Sequence, residues 1–113
     1  MNINDLLLYT PTPVEDHDAK VKRMLEVLGK KCSWSIIYAL MKSRSGMLNI
    51  TALVNMVGSN YNAVSSCIED LEEVGIIEVL KLGRLKIVKL NERNPVVQAM
   101  KNLLMVVMNS TSF

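Results

Sequence analysis

The side chains with most chemistry to offer in this 113-residue chain fall in two places. Asn62, Ser65 and Ser66, preceded by Ser59, Asn60 and Tyr61, are neutral groups that donate and accept hydrogen bonds. Lys81, Arg84 and Lys86 surround Gly83 and carry positive charge at any ordinary pH. Such sets bind; they do not transform. The chain has one histidine, His17, and two cysteines, Cys32 and Cys67, spaced for neither a C-x-x-C motif nor a zinc site. There is no nucleophile–base pair, Gly-rich phosphate loop or metal-ligand cluster, so the expectation is a non-enzyme that needs no cofactor or metal.

The net charge of +2 hides a strong alternation along the chain. Residues 1–18 are acidic and residues 19–47 basic, through Lys20, Lys22, Arg23, Lys30, Lys31, Lys42 and Arg44. Residues 48–80 are acidic again, with Glu69, Asp70, Glu72, Glu73 and Glu78, and residues 81–113 are basic. A polyanion would be met by the two basic blocks if the fold gathers some of them on one side. Charge runs discriminate weakly. Lys20-x-Lys22-Arg23 and Lys30-Lys31 are therefore read as solubilising charges, and Glu69 to Glu73 as a solvated face.

Several elements must position these groups. Pro11 and Pro13 are read as barring a helix, which makes residues 1–17 an arm bearing the apolar cluster Leu6-Leu7-Leu8-Tyr9. Val21, Met24, Leu25 and Leu28 follow helical spacing after Asp18, a candidate N-cap, and a second helix runs from about Ser33 to Ser43. Asn49 opens a third helix that Gly58 closes; Ser59-Asn60 opens a fourth that Gly75 ends. In that fourth helix Val64, Cys67, Ile68 and Leu71 form the inward face, which leaves Asn62, Ser66, Glu69 and Glu73 opposite and Ser65 beside them. Residues 76–82 and 85–90 are β-rich runs around Gly83-Arg84, apolar on both faces. Asn94-Pro95 then starts a last helix, apolar nearly all round at its end.

The segment from Leu53 to Leu90 resembles the winged-helix domain of ArsR- and MarR-type transcriptional regulators. The likeness is carried by Leu53-Val54-Asn55-Met56-Val57-Gly58, Asn62-Ala63-Val64-Ser65-Ser66 and Leu71-Glu72-Glu73-Val74-Gly75-Ile76-Ile77, in order and without gaps. Lys81-Leu82-Gly83-Arg84-Leu85-Lys86 is similar to the basic wing tip of that family, and the flanking helices are similar in architecture to small archaeal and archaeal-viral regulators. The resemblance implies a mainly α fold with a small β-hairpin: a winged helix-turn-helix with an extra N-terminal helix and a long C-terminal dimerisation helix. It divides the chain into an arm (1–17), a DNA-binding domain (18–94) and a dimerisation helix with tail (95–113).

It also implies roles. The fourth helix would enter the major groove of double-stranded DNA, with Asn62 pairing adenine and Ser65 or Ser66 meeting base or phosphate. Ser59, Asn60 and Tyr61, with free backbone N–H groups at the helix start, would hold phosphate, and Lys81, Arg84 and Lys86 would contact the backbone or a minor groove. Relatives usually carry Arg or Lys mid-helix, where this chain has Ser65-Ser66-Cys67. Glu69 is read as a solvated charge, with acceptance from a cytosine amino group the alternative.

The function expected is a homodimeric regulator reading a palindromic site. A protein–protein assembly module and a non-specific architectural DNA binder are the alternatives. The dimer would form through Val97, Met100, Leu103, Leu104, Val107 and Met108. No apolar run approaches the ~20 residues a membrane span needs, and the opening residues lack a basic region, so the expected location is cytoplasmic. The cysteines are expected as reduced, packed thiols, with a Cys32–Cys67 disulfide the alternative. Trp34 and Tyr38 are expected in a core or interface, and His17 in the exposed arm.

Overall fold

The structure, a computed structural model, describes residues 11–58 and 60–110, with side chains from His17 onward. The order is α1 (Pro11–Leu28), α2 (Lys31–Lys42), β1 (Met47–Asn49), α3 (Ile50–Val57), α4 (Tyr61–Glu73), β2 (Ile77–Leu82), β3 (Leu85–Leu90) and α5 (Pro95–Asn109). No helix among the described residues is long and apolar enough to cross a membrane.

Short polar side chains set the helix starts. Asn49 accepts a hydrogen bond from the Ala52 N–H at 2.8 Å, Asn60 from the Ala63 N–H at 2.7 Å, and Asn94 from the Val96 N–H at 2.9 Å. Each satisfies a donor the first turn leaves over, and Pro95 follows at a position where its missing N–H costs nothing.

The N-terminal reading needs correction. α1 begins at Pro11, so Asp18 lies inside the helix rather than at its cap, and a division at residue 17 cuts the helix. Pro11 and Pro13 both sit in the first turn, where N–H groups have no acceptor one turn back and the ring has no preceding carbonyl to strike. The prolines start this helix instead of preventing it. The Leu6–Tyr9 cluster lies outside the described residues.

α2 is the hub. Its Ile36, Ile37, Ala39 and Leu40 are buried against Leu53 of α3, Val64, Cys67, Ile68 and Leu71 of α4, and Val97 and Met100 of α5. Ser33 is fully buried, and its hydroxyl donates to the Val27 carbonyl at 2.6 Å; the Trp34 indole N–H donates to the Leu28 carbonyl at 2.7 Å. The Leu28 carbonyl at the end of α1 is thereby satisfied by the next helix, and the Val27 carbonyl, which also accepts from the Lys30 N–H, is tied to it.

Cys32 at the start of α2 is joined to Cys67 in the middle of α4 by a disulfide, which corrects the expectation of free thiols. The pairing could not be read from spacing because the two cysteines are 35 residues apart.

The sheet is antiparallel, in the order β1-β3-β2. The strand β1 was not foreseen: three residues carry too little pattern, and pairing with Ile87 to Lys89 is what makes them a strand. Gly83 takes φ of 63°, and with Leu82 paired to Leu85 it leaves a two-residue loop in which Arg84 stands at the tip. Opposed pairs Ile77–Leu90, Val79–Val88 and Lys81–Lys86 share the inner face, apolar at its base and basic toward the tip. The outer face carries Leu80, Leu82, Leu85 and Ile87, which explains the apolar character of both faces.

Closing a loop of about 36 residues removes roughly 3–4 kcal/mol of chain entropy from the unfolded state. Reduction should therefore lower the unfolding free energy by about that amount, read from urea midpoints of the oxidised and reduced protein. Identical midpoints would show that the bond adds no stability.

Candidate nucleic-acid interface

α3 and α4 are joined by a tight corner at Gly58, and α4 runs through Gly75, at φ of 80°, into β2. The left-handed turn at Gly75 is held by two side-chain amides, Asn91 and Asn94, which donate to its carbonyl at 3.0 and 2.9 Å. That clamp fixes where the hairpin leaves the helix. It places the basic half of the hairpin's inner face beside α4.

A trough of about 490 Å³ lies between them. Ser65, Glu69 and Glu72 of α4 form one wall, and Lys81 and Lys86 form the other, with Ile50, Ile68, Val79 and Val88 at the base. A second groove of about 320 Å³ continues from it, lined by Thr51 and Asn55 of α3 with Arg84 and Lys86 of the hairpin. Lys86 belongs to both. Ile50 is shared as well, so the two grooves adjoin at the base of the hairpin and α3.

The expected residues divide accordingly. Ser65, Lys81, Arg84 and Lys86 are brought together, and Asn62 and Ser66 are exposed on the adjoining face of α4. Tyr61 is exposed at the helix start. The side-chain carbonyl of Asn60 is spent on the cap, and the Tyr61 and Asn62 N–H groups remain as donors without an intrahelical acceptor. Ser59 lies outside the described residues. Sequence reasoning missed Thr51 and Asn55, whose signal is two polar side chains one turn apart on the exposed side of α3.

Several charges are paired across the fold. Arg23 of α1 donates to Glu73 at 2.8 Å and to Asp70 at 3.0 Å, and Lys30 donates to Asp70 at 2.6 Å. This corrects the picture of Asp70 and Glu73 as a solvated face and of Arg23 and Lys30 as solubilising charges; their partners are 40 to 50 residues away. Farther off, Lys89 and Arg93 bridge to Glu78, and Lys101 to Glu92. Among the described residues Lys81, Arg84 and Lys86 have no carboxylate within bridging distance.

Solved structures share this fold. The homodimeric winged helix-turn-helix DNA-binding domain of Mb0332 from Mycobacterium bovis, a possible ArsR-family regulator, superposes with a TM-score of 0.67 at 19% identity, over 88% of this chain and 86% of that one. NolR from Sinorhizobium fredii gives 0.69 at 14% identity, over 85% and 91%. The antimony-specific transcriptional repressor AntR gives 0.66 at 24% identity, over 84% and 82%. The fold is a winged helix-turn-helix. In its terms α3 and α4 are the helix-turn-helix, with α4 in the position that the fold names the recognition helix, and β2–β3 the wing. No protein-family model matches the chain, and no curated protein matches it by sequence.

The ion pairs bear on acid stability. The Lys30 ammonium, with Arg23 adding to it, holds the Asp70 carboxyl below its usual range, and the Arg23 guanidinium does the same for Glu73. Lys89 lowers Glu78, and Lys101 lowers Glu92. A carboxyl whose folded value is depressed stabilises the fold above its unfolded value, and loses that contribution as pH falls through the folded one. Thermal midpoints should stay level from neutrality to about pH 5 and fall below about pH 4. Asp70→Asn should make that fall shallower.

Proposed function

We propose that the protein is a dimeric winged-helix DNA-binding regulator, with α4 in the major groove of a palindromic duplex site and the wing on the backbone or in the adjoining minor groove. One observation carries this reading. Lys81 and Lys86 stand directly opposite each other on the same face of the wing. Like charges in that position repel and cost the sheet stability. They border the exposed face of α4, and among the described residues no carboxylate comes within bridging distance of them, Glu69 and Glu72 standing on the opposite wall of the trough. A phosphate strand along the wing would bring an anion within bridging distance of both lysines, which Glu69 and Glu72 on the opposite wall do not, with Ser65 and Thr51 as neutral donors beside the wing and the N–H groups of Tyr61 and Asn62 as donors at the start of α4. Asn62 and Ser66, exposed on the same helix, are then the base-reading candidates.

The dimer reading is adjusted by burial. Val97 and Met100, offered as interface residues, are 0% and 3% exposed within the protomer. They belong to its own core because the first half of α5 packs on α2. The second half remains apolar and uncovered: Leu103, Met105, Val106, Val107 and Met108 are exposed, and Leu104 is half-buried. A second copy of the chain would bury this end, and the Mb0332 domain, of the same fold, is described as homodimeric.

The outer wing face favours a second reading, an assembly module. Leu80, Leu82 and Leu85 are exposed there, and they suit a protein partner better than a phosphate backbone.

Selection of bound duplexes from a random pool tests the main reading directly. An enriched palindrome supports it; no enrichment and no shift at low salt would sink it. Arg84→Glu with Lys86→Glu should abolish binding, whereas Arg84→Ala with Lys86→Ala, which removes two cations from each of two wings, should lower the salt slope of the dimer by about three to four. Unchanged binding by the charge-swapped protein would favour the assembly module. Separately, Leu103→Asp with Val107→Asp should halve the mass seen by sedimentation; an unchanged mass would place the interface elsewhere.

A further inference from the structure

The recognition helix carries four carboxylates, Glu69, Asp70, Glu72 and Glu73, and no cation between Asn60 and Val74. DNA presents about one negative charge per ~1.7 Å of duplex, so a helix of this composition meets a repulsive field. The structure divides the four charges by side. Glu69 and Glu72 face Lys81 and Lys86 across the trough. Asp70 and Glu73 turn the other way, onto Arg23 and Lys30.

The second set is built, not incidental. Asp70 is only 19% exposed and is bridged twice, by Arg23 at 3.0 Å and Lys30 at 2.6 Å. Arg23 spreads three nitrogens over three carboxylates: Nε to Glu73 at 2.8 Å, Nη2 to Asp70 and again to Glu73 at 3.3 Å, and Nη1 to Glu26 of its own helix at 3.4 Å. Two cations from α1 and the α1–α2 connection thus offset two carboxylates on the helix expected to approach DNA.

We propose that Arg23 and Lys30 are positioning residues for DNA binding. They act without touching DNA, by cancelling the charge of Asp70 and Glu73 so that α4 can approach a phosphate-lined groove. This rests on the DNA-binding reading above. It predicts an asymmetry that a simple helix-to-helix tie does not. Removing the cations should harm binding, removing the carboxylates should not, and removing both should restore it.

The test uses the full chain and the duplex that the unaltered protein selects, with affinity read by fluorescence anisotropy at ~0.05 M and ~0.2 M salt. Arg23→Gln with Lys30→Gln should weaken binding by about tenfold at the lower salt and by less at the higher, as screening shortens the reach of the exposed carboxylates. Asp70→Asn with Glu73→Gln should bind at least as tightly as the unaltered protein, and the fourfold variant should return to within about twofold of it. If either the carboxylate variant or the fourfold variant binds as poorly as the cation variant, the cluster is a mechanical tie and the proposal falls. It falls too if the cation variant binds normally. Failure of the unaltered protein to bind any duplex would instead overturn the DNA-binding reading, and the proposal with it. Should the cation variant not fold, the carboxylate variant still decides, since weaker binding by it contradicts charge cancellation.

Discussion

Cys67 sits in the middle of the recognition helix, on the face that packs against α2, and its sulfur is bonded to that of Cys32 at the start of α2. Val64, Ile68 and Leu71 flank it on the same face and are buried against Ile36, Ile37 and Leu40. The buried Ser33 hydroxyl lies 3.6 Å from the Cys67 sulfur while it holds the last turn of α1 through Val27. One seam therefore joins three helices. On the proposed reading α4 must keep its exposed face within a fraction of a helical turn of the productive angle, because each base edge would be read by short, directional bonds. The seam supplies that constraint with groups that face away from the surface being presented.

The charge arrangement follows from the same seating. With the apolar stripe turned toward α2, helical geometry sends Asp70 toward α1, Ser65 and Glu72 toward the wing, and Asn62 and Ser66 between them. Arg23 and Lys30 meet the first set, Lys81 and Lys86 the second. The strip between them carries the neutral groups Asn62 and Ser66 together with Glu69, which borders the trough, and Glu73, which Arg23 bridges. A helix that looks ill-suited to nucleic acid when read alone has its anions placed beside cations contributed by α1, the α1–α2 connection and the wing.

What could be read in the sequence was whatever has a local cause. Asn49, Asn60 and Asn94 cap helices by bonding to N–H groups two or three residues on, and Gly83 turns a two-residue loop, so each announces itself within a few positions. The helix-turn-helix order and the wing cations were legible for the same reason. The Cys32–Cys67 bond, the Arg23 and Lys30 bridges, and the strand β1 join segments some 35 to 50 residues apart, and no short window contains them. α1 was misjudged for a different reason. The rule that proline breaks helices belongs to the interior, and Pro11 and Pro13 occupy the one turn where it lapses. Val97 and Met100 show the limit of an apolar stripe. It says that a face is covered, but whether a neighbour in the same chain or in a second copy covers it depends on the packing of α2.

On the proposed reading, gripping and recognising DNA are assigned to different elements, and this makes the dimer more than a symmetry device. A wing with three cations releases at most about three counterions, which makes affinity fall roughly 40-fold between 0.05 and 0.2 M salt. Two wings on one duplex double that slope, and the second docks as an intramolecular event, so the loss of grip from a cation-free recognition helix is recovered by pairing. A monomer would then keep Asn62, Ser65 and Ser66 for discrimination while lacking the charge to stay bound. The uncovered apolar end of α5 fits that arithmetic. A chain that places no positive charge on its recognition helix gains most from a second wing, and it exposes Leu103, Val106 and Val107 where a second copy could attach.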